Sequence, residues 1–269
     1  MPETPLLWSA LACYAAAIAV ALLRPAGAVL RFVTPMPLLA TALALHTGAL
    51  LVRWQAHGHG PFTTLHEILS SNLWSLALML ALAATGLREL RLALVAAAPV
   101  LAVLALWLVA TNDGAGHLPP TYATPLLYVH TLFGKLFLGL LLAALALAAM
   151  PWLRGTRWAT PYAGAWPGDA RFDELAHRFS AFAFVAQTLM LIVGAVWAQD
   201  AWGRYWAWDP LESWAFLTWL ALAATLHARA TLRPLPRTHA VWLLLVFVLA
   251  FLTFFGVPFV STAPHKGAV

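Results

Sequence analysis

The sequence predicts an all-α membrane protein: a polytopic transmembrane helical bundle of about eight spans, with both termini on the outer side. Three observations support this prediction. Of the 269 residues, 62% are hydrophobic and only 9% are charged, whereas soluble domains carry roughly 25% charged residues. The apolar residues form eight runs, each close to the ~20 residues that a helix needs to cross a bilayer. Arginines are concentrated in alternate connections between these runs.

The apolar runs are separated by segments with proline, glycine and charged residues, which typically interrupt helices. The sequence contains no internal repeat, so the simplest organisation is one domain covering residues 1–269. The first run lacks the features of a cleavable secretory signal, and we expect it to remain as a span. The predicted spans are residues 6–23, 37–54, 68–86, 92–110, 126–150, 180–199, 211–230 and 240–258.

The positive charges predict the orientation of these spans. Eleven arginines fall in four alternate connections, whereas the other side holds only Arg53, Arg204 and Lys266. Because loops rich in Lys and Arg stay in the cytoplasm, we expect the loops near 55–66 and 111–125, the loop near 200–211 and the C-terminal tail to face outward. This bias accounts for the net charge of +5, and we expect no nucleic-acid partner.

The single cysteine, Cys13, excludes several kinds of chemistry. It lies in an apolar run, and the sequence has no C-x-x-C pair. The chain therefore cannot carry out dithiol exchange alone, and it is not itself a c-type cytochrome.

The densest chemical signal is an aromatic segment, residues 197–219, which holds six of the fourteen tryptophans. One interpretation is an interfacial aromatic belt, since tryptophan favours the headgroup zone. However, these rings are concentrated in one outer loop, which favours binding of a flat apolar ligand. Asp209 is also expected to cap the seventh helix. The candidate ligand-contacting residues are Trp202, Arg204, Trp206, Trp208, Asp209 and Trp214.

This segment reads W-G-x-Y-W-x-W-D-P-x-E-x-W from Trp202 to Trp214. It resembles the WWD motif of haem-handling membrane proteins. With its continuation into Leu226-His227-x-Arg229, it resembles the CcsA/ResC family of cytochrome c biogenesis in particular. The stretches Arg53–Glu67, Pro120–His130 and Phe255–His265 are similar to other segments of that family.

The resemblance implies a protein that binds haem b non-covalently, as cargo, and presents it at the outer face of the bacterial inner membrane. It also implies a cytochrome c synthase complex of the system II type with a CcsB/ResB-type membrane subunit. That complex would join the haem vinyl groups to the thiols of a C-x-x-C-H segment in apocytochrome c. Two alternatives remain open: a CcmC-like haem chaperone that makes no thioethers, and a membrane transporter or structural subunit without a cofactor.

Three histidines are candidate haem-iron ligands, because imidazole is a common axial ligand. His130 lies about one turn into the fifth span, and His265 lies just beyond the eighth, so both can reach the aromatic loop. His227 lies near the inner end of the seventh span. There the resemblance implies an intramembrane ligand whose partner histidine comes from a second subunit. The alternative for His227 is a hydrogen bond between helices.

The remaining polar residues have simpler interpretations. Arg204 and Lys266 are candidates to pair with the haem propionates, or they snorkel to the headgroups. His46 is expected to be a packed polar contact, and His177 and His239 are interpreted as loop histidines. His59 and His66 are left open between a substrate and a metal role. Lys135 lies within a span, where an ionisable group is costly, but the sequence assigns it no role. No residue is assigned as a catalytic acid, base or nucleophile, so the expected contribution of the chain is positioning.

Reporter fusions test the predicted orientation. Fusions after residues 90, 165 and 235 should report a cytoplasmic location, and fusions near 118 and 205 an external one, because of the arginine asymmetry. A cytoplasmic signal at 205 would exclude an outer site built on the aromatic loop.

Overall fold

The computed structural model describes residues 3–23, 34–114, 116–156, 159 and 166–260. Over this part of the chain all regular structure is helical, and eight helices are long and apolar enough to cross a membrane. The predicted fold class is therefore confirmed. The helices are α1 (Glu3–Leu23), α2 (Met36–His57), α3 (Leu65–Gly86), α4 (Arg88–Val109), α5 (Pro125–Leu153), α6 (Asp169–Trp202), α7 (Pro210–Leu232), α8 (Pro236–Phe255) and the short α9 (Val257–Val260).

The prediction for the start of α6 was wrong. This helix begins at Asp169, not near residue 180, and its first three turns are rich in charge. With 34 residues, it is about 51 Å long at 1.5 Å per residue, which exceeds the ~30 Å hydrocarbon core. The charged turns find ionic partners outside that core: Arg171 pairs with Glu89 at 2.9 Å, and Arg178 pairs with Glu174 on the same helix. A hydropathy window misses this extension because its residues are polar although they are helical.

The alternating directions of the eight helices create two faces. We call the end that holds the connecting residues 58–64, 110–114, 116–124 and 203–209 the aromatic face. The opposite end, with the connecting residues around 87, 154–156, 166–168 and 233–235, is the arginine face. Because the number of spans is even, both ends of the described chain lie at the aromatic face.

Helix α5 lies at the centre of the bundle and packs against α3, α4, α6 and α8. Most of its buried residues are leucine and alanine. Gly139 permits a close approach: a Cβ added there would lie 2.9 Å from the Cβ of Met79 on α3. Small residues at such positions allow membrane helices to pack closely.

A buried arginine joins three helices at the aromatic face. The side chain of Arg53, which is 3% exposed, donates from Nε to Glu67 at 2.8 Å and from Nη1 to Glu3 at 3.1 Å. Its Nη1 and Nη2 also donate to the backbone carbonyls of Asp113 and Gly114. The guanidinium thus holds α1, α2 and α3 together with the connection that follows α4.

The substitution Arg53→Met should destabilise the protein by about 3–5 kcal/mol, because it leaves two buried carboxylates without their cation. The measurement is equilibrium unfolding of the detergent-solubilised protein. Arg178→Met is the matched control, since its pair with Glu174 is largely exposed and such pairs contribute at most about 1 kcal/mol. Equal losses for the two variants would contradict a structural role for the buried pair.

Candidate ligand-binding site

A cavity of about 240 Å³ opens at the aromatic face. Its walls come from α3, α5 and α6, from the connections before α5 and α7, and from the ends of α7 and α8 that lie at this face. Most of the lining is apolar, with a few polar side chains on the α3 and α5 sides. This composition is typical of sites for small organic ligands.

His130 lies in the cavity wall, on the second turn of α5. Its Nδ1 is 3.0 Å from the backbone carbonyl oxygen of Met190 on α6. A carbonyl only accepts, so Nδ1 carries the proton and, in the neutral ring, Nε2 carries the lone pair. A histidine with Nδ1 held in this way has the tautomer and the fixed orientation that metal-ligating histidines usually show.

Two neighbours on α6 fix the His130 ring. Gly194 makes room for it: a Cβ added there would lie 2.7 Å from both Nδ1 and Cε1 of the imidazole. On the other side the ring stacks on Trp197, with centroids 5.9 Å apart and an interplanar angle of 20°. The position of the imidazole therefore depends on the surface of α6 as well as on α5.

Around His130 the aromatic side chains form two groups. In the first, Trp197 makes edge contacts with Tyr122 and Trp202 at 5.0 Å. In the second group, Trp206 in the cavity wall contacts Trp208, and Trp208 contacts Phe216 on α7. Phe216 stacks on Trp219, which in turn stacks on Phe184 of α6.

Local hydrogen bonds shape the loop that presents these rings. α6 ends at Gly203, which has φ = 73°, a conformation that glycine adopts without strain. Asp209 caps α7 by accepting from the amide of Glu212 at 2.8 Å. Glu212 in turn accepts from the amide of Ala207 at 2.7 Å. The expected capping role of Asp209 is therefore present, and Trp208, with φ = 59°, is turned outward at 68% exposure.

The residues selected from the sequence divide into three sets. His130 and Trp206 line the cavity, and Trp202 packs behind them against Trp197. Trp214 and Arg204 lie nearby but are not part of the described cavity wall. His265 and Lys266 lie outside the described residues.

His227 lies apart from this cavity. It is on α7, five residues before the end of the helix at the arginine face, and its side chain is exposed. An exposed imidazole on the outside of a bundle is placed to meet lipid or a neighbouring protein. The interpretation as a hydrogen bond between helices of this chain is thus not favoured by its position.

Two of the histidines interpreted as loop residues are helical and belong to a polar cluster near the arginine face. His239 is fully buried on α8 and donates from Nδ1 to Asp173 at 2.7 Å. Asp173 also accepts from Arg229 Nε at 2.9 Å, and the His177 ring lies 6.2 Å from that of His239. The interpretation was wrong because α6 begins at Asp169 and α8 begins at Pro236, in both cases before the predicted span.

The other polar residues in the spans have clear partners. His46 lies between Tyr14 and Ser70, with Nε2 2.9 Å from the Ser70 hydroxyl, and is the packed contact that the sequence predicts. Lys135 lines the cavity and donates to the hydroxyl of Ser71 at 2.9 Å. Its position in a predicted span was the only sequence signal for its importance.

The family model described as "Cytochrome C assembly protein" matches residues 62–265. The cytochrome c biogenesis protein CcsA of Guillardia theta is 44% identical over 94 residues, which cover 35% of this chain and 31% of that relative. The CcsA protein of Prochlorococcus marinus (strain MIT 9515) is 28% identical over 243 residues, covering 81% of this chain and 78% of the relative. That of Chlamydomonas reinhardtii is 30% identical over 228 residues, covering 81% and 63%.

Among solved structures, the cytochrome c haem lyase CcmF has the same fold, with a TM-score of 0.62 and 21% sequence identity. The match covers 94% of this chain but only 46% of CcmF. Since the family match spans most of the sequence, including the cavity and the aromatic loop, the chain belongs to the cytochrome c assembly protein family, in agreement with the CcsA/ResC resemblance of its motifs.

Proposed function

We propose that this protein binds haem b non-covalently at the aromatic face and presents it there for covalent attachment to apocytochrome c. It would act in a system II cytochrome c synthase together with a CcsB/ResB-type membrane subunit. Family membership and the names of the relatives support a role in cytochrome c assembly. We place the protein in the bacterial inner membrane, and the arginine asymmetry supports the outward orientation of the aromatic face.

The observation that carries this proposal is the hydrogen bond of His130. Its Nδ1 lies 3.0 Å from the Met190 carbonyl oxygen, which only accepts, so in the neutral form of the ring the lone pair is on Nε2. An imidazole held in this orientation in the wall of an apolar cavity is suited to bind haem iron. In the proposal, His265 in the C-terminal tail would be a second residue that holds the haem iron.

The aromatic side chains fit the flat faces of a porphyrin. The cavity volume of about 240 Å³ is slightly below the ~300–1,000 Å³ of typical small-molecule sites, so it would hold only part of the ring. The rest would extend toward the exposed Trp208, where a vinyl edge is accessible from outside. Trp206 contributes one wall, while Trp202 supports the His130 environment through Trp197.

The covalent chemistry belongs to the cargo and to the acceptor protein. Haem provides two vinyl groups, and the C-x-x-C-H segment of apocytochrome c provides two thiols that form the thioether bonds. The chain's own residues would hold the iron, orient the ring and exclude water from the buried edge. Holding two reactants in a productive geometry can remove a large part of the barrier to reaction.

Replacing His130 with Gly should abolish cytochrome c maturation, because the iron loses a fixed ligand. Added imidazole should partly restore it, since the vacated space accepts a diffusible ligand. The measurements are covalent haem staining of the cytochrome and the absorption spectrum of the purified protein. Normal maturation in the variant would exclude His130 as a ligand.

A second variant tests the role of His130 without replacing His130 itself. Gly194→Ala places a Cβ 2.7 Å from the His130 ring, so the imidazole must move from the Met190 carbonyl. Changes at such supporting contacts typically reduce metal affinity roughly 10–100-fold. Gly48→Ala is the matched control, because its Cβ would make an ordinary 3.6 Å contact with Leu6, and it should retain normal haem content.

The exposed position of His227 supports a separate haem contact shared with the partner subunit. His227→Ala should reduce the haem that co-purifies with the two-subunit complex but leave the haem content of this chain alone unchanged. Folding should be preserved, since the side chain is exposed. Leu220→Ala, at another exposed position on α7, is the control. Unchanged haem in the His227→Ala complex would show that His227 is not a ligand.

A further inference from the structure

Lys135 is an amine in the middle of a membrane span. It lies ten residues from the start of α5 at Pro125, which is about 15 Å along the helix axis. Its Nζ does not extend to the headgroup zone, as a snorkelling lysine would. It is directed into the bundle, where it lines the cavity and donates to Ser71 on α3.

The charge of Lys135 has no acidic counterpart nearby. Among the described residues, no carboxylate lies within ion-pair distance of its Nζ. Glu212 is the one acidic residue in the described cavity wall, and its Oε2 is occupied by the backbone amides of Ala207 and Asp209. A charged amine in an apolar surrounding normally requires a paired anion, so a ligand that brings a carboxylate into the cavity would give Lys135 its ionic partner.

The wall beside Lys135 is also incompletely hydrogen-bonded. The hydroxyl of Ser71 is 3.4 Å from the carbonyl of Ile68, so it can give its proton there and accept from Lys135. Asn72 donates to the same carbonyl at 2.8 Å, but its Oδ1 is buried and has no partner among the described atoms. Both residues line the cavity. This part of the wall is therefore polar, although the surrounding lining is apolar. Because Asn72 Oδ1 only accepts, the donor that this wall offers to an acidic group is the amine of Lys135.

The register of α5 relates this polar wall to the proposed iron ligand. Lys135 follows His130 by five residues, about 7.5 Å along the helix axis, and both line the same cavity. A flat molecule bound to His130 through its centre would extend its edge toward Lys135. Haem carries its two carboxylates at the ring edge.

We propose that Lys135, held by Ser71, binds one propionate carboxylate of the haem at the inner end of the cavity. This proposal rests on the proposed function. The amine that binds this propionate would therefore lie within a membrane span and not at the membrane surface. Arg204 is exposed in the loop and remains available to the second propionate.

The test compares haem with haem dimethyl ester, in which both propionates are uncharged. Each is titrated into haem-depleted, detergent-purified protein and followed by absorbance. A hydrogen bond to a charged group contributes enough to change affinity by roughly tenfold or more, so the wild type should prefer haem by at least about that factor. Lys135→Met should lose most of this preference by weakening haem binding while binding of the ester is unchanged. Lys135→Arg should keep the preference.

Three results would overturn the proposal while leaving haem binding itself intact. One is equal affinity of the wild type for haem and its ester. Another is an undiminished preference in Lys135→Met. The third is an equal loss of both ligands in that variant, which would indicate a structural role of the lysine. By contrast, a wild type that binds neither ligand would refute the proposed function itself.

Discussion

The absence of water in a bilayer is the constraint on which this structure depends, because every polar group inside a span must find a partner in the protein. Arg53 donates to two carboxylates and two backbone carbonyls. His46 lies within hydrogen-bonding distance of the Tyr14 and Ser70 hydroxyls. At the arginine face, Asp173 near the start of α6 pairs with Arg229 and His239. These contacts join helices that are distant in sequence and lie toward both ends of the bundle. Polar pairing therefore helps to fix the arrangement of the helices.

At the cavity that pairing is incomplete for several side chains. Lys135 has a hydroxyl partner instead of a counter-ion, and Asn72 Oδ1 and Trp206 Nε1 are buried without described hydrogen-bond partners. Such unsatisfied groups are costly in an apolar surrounding. They lie in the wall of the same cavity as His130. Lys135 Nζ and Trp206 Nε1 are donors that a ligand with acidic edges can pair with, whereas Asn72 Oδ1 only accepts and would need a donor.

Hydropathy was sufficient to predict the number of spans, because eight apolar runs leave few alternatives in a bilayer. It was insufficient at Asp169, where a charged but helical extension is stabilised by ion pairs such as Arg171 with Glu89. This pair joins residues 82 positions apart, and no local pattern reveals it. His239 was misinterpreted for the same reason, since its partner Asp173 lies in that extension.

The site was predictable to the extent that its chemistry is local. His130, Trp206 and the capping role of Asp209 could be read from short motifs, and the structure places the first two in one cavity wall. Met190 and Gly194 could not be read in this way, because an ordinary methionine carbonyl and a glycine in a helix become important only when α5 and α6 pack together. Lys135 was visible as an anomaly, but its partner Ser71 comes from another helix, so the sequence could not assign its role.

The hydrogen bonds of Asp209 and Glu212 also bear on the order of folding. They connect residues within 207–212, and contacts this short in sequence form early because they close very small loops. The bend that presents Trp206 and Trp208 can therefore form as soon as this stretch leaves the insertion machinery, while α8 is still being synthesised. The His130 end of the cavity depends on α6 packing against α5, which precedes the loop in the chain. A nascent chain could thus complete most of its binding surface before its last helix is inserted, and that helix would then close the remaining wall.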